Sequence, residues 1–196
     1  SLDNLPLEIK NDLSKKIILY APTHREDLIS IFFPFTDKNL EKLNIFLKEN
    51  NAVFYLRPHI NDTNKAQQDW KNFFEKINQS EIKSLTFREL QDINQLLPFI
   101  NSLITDYSTI YTDAILLDIP TIFIPYDIEV YEKKRGLVYD YEKITAGDKV
   151  LDQKKLIEYL SKIFDQKEFN KIKKEESKKK YNKVKDGKDT KRNLKK

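Results

Sequence analysis

The sequence predicts an α/β fold: a Rossmann-like parallel sheet covered by helices. Three observations carry that expectation. Apolar runs of strand length alternate with helical patterns along most of the chain, prolines close the runs at Pro22, Pro58 and Pro125, and a βαβα order needs the crossovers that parallel strands require.

Lys16-Ile-Ile-Leu-Tyr-Ala21 is β-branched and aromatic and reads as the first buried strand. Leu40, Leu43, Phe46 and Leu47 then recur at helical spacing up to the Asn50-Asn51 pair. Ala52-Val-Phe-Tyr-Leu56 is the second strand, followed by a helix over 65–77 that puts Trp70, Phe73, Phe74 and Ile77 on one face as core packing. A weaker third strand covers Ile82 to Phe87. Asp92 opens a short helix that Pro98 cuts off. Leu103-Ile-Thr105 is a strand, Ser108 to Leu117 a helix, and Thr121-Ile-Phe-Ile124 the next strand. Beyond Tyr126 the periodicity fades into a charged aromatic segment, until a helix returns over Leu151 to Phe164.

A length of 196 residues leaves room for one full domain. The division expected is a nucleotide-binding body over 1–165 and a basic tail, helical or disordered, over 166–196. Net charge supports it: the +4 of the whole chain conceals +9 from Lys171 to Lys196 and −5 before it. A dedicated nucleic-acid binder would carry basic charge over its body, so no nucleic-acid partner is expected. Cysteine is absent, which excludes disulfides, thiolate metal sites and cysteine nucleophiles, and two histidines make a zinc site a poor expectation. The three glycines form neither a dinucleotide fingerprint nor a P-loop. No apolar stretch approaches the ~20 residues of a membrane span. The lack of any Met and the start at Ser1-Leu2 suggest a piece of a longer protein.

Ligands of open parallel sheets bind outside the carboxyl ends of the strands. There the sequence delivers Thr23, His24 and Arg25 after strand one, Arg57 and His59 after strand two, Asp106, Ser108 and Thr109 after the fourth, and Tyr126 and Asp127 after the fifth. Two arginines, two histidines and a pair of hydroxyls suit an anion, phosphate above all. In Ile104-Thr-Asp-Tyr-Ser-Thr109 the strand turns into a helix, which admits two readings. Ser108 N-caps the helix with Asp106 as brace, or the turn cradles phosphate without glycine. Imidazole is the side-chain group that titrates near neutrality, and His59 follows a rigid Pro58, which fits proton chemistry or a charge-assisted bond to phosphate. Asp113, seven residues after Asp106, could orient a sugar hydroxyl.

Several segments, in order, carry a family resemblance: Ile18-Leu-Tyr-Ala-Pro-Thr-His-Arg25, Leu56-Arg-Pro-His59, Asp92-Ile-Asn-Gln-Leu-Leu97, Leu103-Ile-Thr-Asp-Tyr-Ser-Thr109 with Asp113, and Tyr126-Asp-Ile-Glu-Val-Tyr131 leading to Arg135-Gly136 and Tyr139-Asp-Tyr-Glu142. Together they resemble the CDP-glycerol glycerophosphotransferases, polymerases and primases of teichoic acids and capsules. The resemblance implies the C-terminal, donor-binding half of a GT-B architecture whose N-terminal domain is missing here. It implies a CDP-glycerol or CDP-ribitol donor as substrate, no cofactor and no metal, a polyol-phosphate polymer as acceptor, and a cytoplasmic location at the inner face of the cell membrane. Carried over by position, Arg25 and His59 become pyrophosphate or leaving-group contacts, with His59 as the catalytic candidate. Asp106, Ser108 and Thr109 become the phosphate turn, Asp113 a ribose or helix-start contact, and Arg135 a further phosphate ligand. Thr109 stands where the family has Ser, and Thr145-Ala-Gly-Asp148 where it often has a Pro-Gly-Pro turn. The rival readings are a nucleotide-sugar glycosyltransferase of the same architecture and a non-catalytic binding domain whose basic tail docks on an anionic membrane.

Overall fold

The computed structural model describes residues 2–25, 31–60, 72, 74–136 and 140–165, with the backbone alone at 135, 143 and 144. Most of the helix expected over 65–77, with Trp70 and Phe73, and the basic tail over 166–196 lie outside the described residues.

Six parallel strands form one sheet in the order β3-β2-β1-β4-β5-β6. These are β1 (Lys16–Tyr20), β2 (Ala52–Leu56), β3 (Ile82–Ser84), β4 (Ser102–Thr105), β5 (Thr121–Phe123) and β6 (Asp148–Lys149). The helices are α1 (Leu7–Asp12), α2 (Leu40–Glu49), α3 (Ile110–Leu116), α4 (Ile128–Arg135), α5 (Tyr141–Ile144) and α6 (Gln153–Phe164). The order runs outward from β1 in both directions, which makes the β1/β4 boundary the topological switch point where the chain's direction of winding reverses.

Alternation along the central strands divides the core. Ile18, Tyr20, Phe54 and Leu56 pack with Leu43 and Leu47 of α2 and Leu156 and Leu160 of α6. Ile17, Leu19, Val53 and Tyr55 face the other way, onto Ile9 of α1, Leu96, Leu97 and Ala114 of α3. Because both faces are covered, the strands carry continuous apolar runs, and β2 is buried at every position. Asn39 caps α2 by accepting from the Lys42 amide at 2.9 Å, and Asp152 caps α6 through the Lys155 amide at 2.7 Å. Asn51 ends α2 with φ 49°, a left-handed conformation that asparagine tolerates.

One polar network lies within the α1 face. Asp12, only 4% exposed, accepts from the Tyr55 hydroxyl at 2.7 Å and from Lys83 Nζ at 2.6 Å, and also pairs with Lys15. Burial works against its charge, but the bonds from Lys83, Tyr55 and Lys15 outweigh that and hold its carboxyl below the usual range.

The sequence expectations need four corrections. The third strand stops at Ser84, because the chain turns away to supply carbonyls to Arg57. The segment opened by Asp92 is two 3-10 turns, Ile93–Gln95 and Leu97–Phe99, not one helix. The segment after Tyr126 forms α4, held by aromatic contacts where apolar periodicity is missing. A sixth strand exists at Asp148–Lys149, paired with Ile122 and Phe123.

Candidate functional site

The carboxyl ends of β1, β4 and β5 are joined by one largely enclosed cation, Arg25, whose side chain is 10% exposed. Arg25 donates from Nη2 to Asp106 Oδ2 at 2.9 Å, from Nη2 and Nε to Asp127 at 2.8 and 2.9 Å, and from Nη1 to the Thr23 carbonyl at 2.6 Å. Three tyrosine rings surround the guanidinium, with centroids at 5.3 Å (Tyr107), 5.6 Å (Tyr126) and 4.9 Å (Tyr131). Tyr107 and Tyr131 stack on each other at 4.5 Å. Burial disfavours the charge, yet Asp127 and Asp106 overcome this and raise the Arg25 pKa further.

Asp106 is equally committed. Its side chain is 2% exposed, and Oδ1 accepts from the Thr23 amide (2.8 Å), the Thr23 hydroxyl (2.5 Å) and the Tyr107 amide (2.6 Å). Tyr141 donates to the Asp106 carbonyl at 3.0 Å. Arg25 and Asp106 were expected to meet phosphate; the structure brings them together as each other's partners, beneath the rim. Arg57 is likewise engaged: Nη1 donates to the carbonyls of Leu85, Thr86 and Leu90 at 3.2, 2.7 and 2.7 Å. Burial lowers its pKa.

Above this bracket lies a cleft of about 350 Å³, lined by Ala21, Pro22, Arg57, Pro58, His59, Phe87, Asn94, Ser108, Thr109 and Asp113, among others. Four expected site residues therefore share one pocket: His59, Ser108, Thr109 and Asp113. The N-cap of α3 is Thr109, not Ser108, and no side chain caps the helix. The capping reading of Ser108 thus fails, because the turn after Asp106 carries the chain one residue further before the helix begins. Ser108 and Thr109 both line the pocket. Partial burial and the nearby Asp92 carboxylate raise the Asp113 pKa. α4 ends at Arg135, whose side chain lies outside the described residues.

His59 stacks on His24, with ring centroids 4.7 Å apart and planes 22° from parallel. Sequence reading named both residues but had no means of pairing them. It also missed Tyr107, Tyr131 and Tyr141, whose only signal was aromatic enrichment after the fourth and fifth strands. Among the described residues no group of three or more His, Asp or Glu is placed to hold a metal ion.

Strand order and a pocket at the switch point define the Rossmann type of α/β domain. Comparison with known proteins supplies the family. Residues 3–196 match the model of the CDP-glycerol:poly(glycerophosphate) glycerophosphotransferases. The chain is 37% identical over 161 residues to a teichoic acid glycerol-phosphate primase of Bacillus subtilis (strain 168), covering 81% of this chain and 38% of that protein. It is 32% identical to a teichoic acid poly(ribitol-phosphate) polymerase of Bacillus spizizenii, covering 68% of this chain and 20% of the relative. Its fold matches the wall teichoic acid polymerase TagF with a TM-score of 0.63 and 26% identity, over 97% of this chain and 45% of TagF. The chain belongs to the CDP-glycerol:poly(glycerophosphate) glycerophosphotransferase family, and it spans less than half the length of these relatives.

Proposed function

We propose that this chain is the donor-binding domain of a transferase that moves glycerol phosphate, or ribitol phosphate, from a CDP-linked donor to a teichoic-acid-type polymer. The observation that carries the reading is the pocket at the switch point, where His59, Ser108 and Thr109 converge in a member of this family. A variant of TagF was soaked with CDPG, and that structure resembles this chain with 26% identity and a TM-score of 0.63. The donor is a substrate, and the reaction as proposed uses no cofactor.

Transfer breaks the pyrophosphate bond and leaves charge on the departing CMP. His59 is suited to meet that charge with an N–H donor, and the hydroxyls of Ser108 and Thr109 to hold the phosphate oxygens. Asp113, which lines the same cleft, is suited to accept from a ribose hydroxyl. Arg25 and Asp106 serve by holding the Asp106–Thr109 turn at a fixed height over the sheet. A further, N-terminal GT-B domain, a polymer acceptor and an anionic membrane surface meeting the basic residues of 166–196 complete the proposal, with the enzyme peripheral at the inner face of the membrane.

Calorimetric titration of CDP into this chain and into His59→Ala tests it. Binding should weaken about tenfold or more in the variant, as for a lost charge-assisted bond of about 1.5–3 kcal/mol. Equal affinity would remove His59 from the site, and a preference for UDP or GDP over CDP would overturn the donor assignment.

A further inference from the structure

We propose that Phe87 is the stacking platform for the base of the nucleotide donor, and that Arg57 is a positioning residue that holds this platform by gathering the carbonyls of the 85–91 loop. The proposal rests on the reading of the cleft as a nucleotide-donor site and adds what meets the end of the donor that carries no phosphate.

The placement begins where β3 ends. The strand stops at Ser84, and the chain beyond it closes into a tight loop. The Leu85 amide donates to the Leu56 carbonyl at 2.9 Å, the Leu90 amide to the Thr86 carbonyl at 3.1 Å, and the Thr86 amide to Glu89 Oε2 at 2.5 Å. Leu85 and Leu90 are buried, so the loop is pinned at both ends, while Phe87 between them stays 37% exposed. Among the described residues it is the one exposed large apolar side chain that lines the cleft. A ring left partly in water forgoes the stabilisation that burial gives, and a planar ligand ring laid on it restores part of that.

Arg57 lines the same cleft, yet its guanidinium is directed into the loop. Nη1 donates to the carbonyls of Leu85, Thr86 and Leu90, and Nη2 reaches the Gln91 carbonyl at 3.4 Å. Its central carbon lies 5.9 Å from the centre of the Phe87 ring, within cation–π range, so one cation supports both the platform and the backbone that carries it. The order of the sheet then sets the spacing to the phosphate turn. The strands run β3, β2, β1, β4, with Phe87 after the first and Ser108 and Thr109 after the last. Three strand spacings come to about 14 Å, the reach of an extended nucleoside diphosphate from base to outer phosphate. His59 and Pro22, which also line the cleft, follow the two strands between. A stack is blind to the identity of the base, since every base has a π face. Phe87 therefore supplies affinity for a base, not the choice among bases.

Calorimetric titration of the 196-residue chain with CDP and with inorganic pyrophosphate separates the two ends of the donor. Phe87→Ala should weaken CDP binding about tenfold, the order of one base–aromatic stack, and leave pyrophosphate affinity unchanged. Phe87→Tyr should bind both as the wild type does. Arg57→Lys keeps the charge and loses the fork; it should weaken CDP about as much as Phe87→Ala, and the double variant should be no weaker than either. In the wild type, where no variant has to fold, the Arg57 guanidinium NMR signals should stay in place on adding pyrophosphate and move on adding CDP. Wild-type affinity for CDP in Phe87→Ala would overturn the platform, and Arg57 signals that move with pyrophosphate would make it a phosphate ligand and overturn its positioning role. A preference for UDP or GDP would overturn the donor assignment alone, with the Phe87 comparison then read with that nucleotide. A wild type that holds no nucleotide more tightly than pyrophosphate would overturn the stack itself.

Discussion

Replacing Asp106 by Asn keeps shape and removes charge, which isolates what the buried bracket contributes. Oδ1 can still accept from the Thr23 amide and hydroxyl and from the Tyr107 amide. The other oxygen becomes an NH2 group facing Arg25 Nη2 across 2.9 Å, donor against donor. A hydrogen bond between charged groups is worth about 1.5–3 kcal/mol, and a buried ion pair broken on one side costs about 3–5 kcal/mol. Arg25 keeps its two bonds to Asp127, so the loss belongs at about 2–4 kcal/mol. With a urea m value of about 2–3 kcal/mol/M, the midpoint should fall by roughly 1 M, and the melting temperature by roughly 5–15 °C. Urea unfolding followed by far-UV circular dichroism reads this directly. A midpoint displaced by less than about 0.2 M would show that Arg25 and Asp106 do not hold the rim, and would take with it the view that they support the phosphate turn from below.

Two further outcomes follow from the packing of β6 and of α1. A Cβ added at Gly147 would lie 2.0 Å from the Thr121 carbonyl and 2.8 Å from the Phe123 ring; Gly147→Ala should therefore cost about 3 kcal/mol or more, with unfolding midpoints as the measure, and a cost under about 1 kcal/mol would mean β6 is not seated as described. Asp12 has a folded pKa below its ordinary 3.8, so it stabilises the fold above that value and the contribution is lost as pH falls through the lower, folded value; stability should decline more steeply below about pH 4 in the wild type than in Asp12→Asn, and equal slopes would refute the network's role.

What could be read in advance divides along physical lines. β1, β2 and β5 are buried on both faces, so their apolar runs are visible without knowledge of partners, and the prolines at their ends mark where ligand-facing loops begin. β6 is two polar, half-buried residues, a strand only because Phe123 offers its backbone and Gly147 has no side chain to block the approach. α4 lacks an apolar stripe and is held by the stacking of Tyr131 on Tyr107. The site shows the same division. His59, Ser108, Thr109 and Asp113 share the pocket because strand ends converge at the switch point, a property of topology. The expected roles of Arg25 and Arg57 were less legible, since an arginine at a strand end can face a ligand or bond the protein, and, the Thr23 carbonyl apart, the partners here stand 28 to 102 residues away in sequence.

The ion pair between Asp12 and Lys83 bears on the order in which the molecule is built. The carboxylate waits through 43 residues of chain for the Tyr55 hydroxyl and through 71 for the Lys83 ammonium. At a synthesis rate of about 5–20 residues per second, the second interval is roughly 4–14 s. In that interval Lys15, three residues on, is the one counter-charge of the network already synthesised, and the bonds that let Asp12 be buried under the sheet are complete only once the β3 edge has been added.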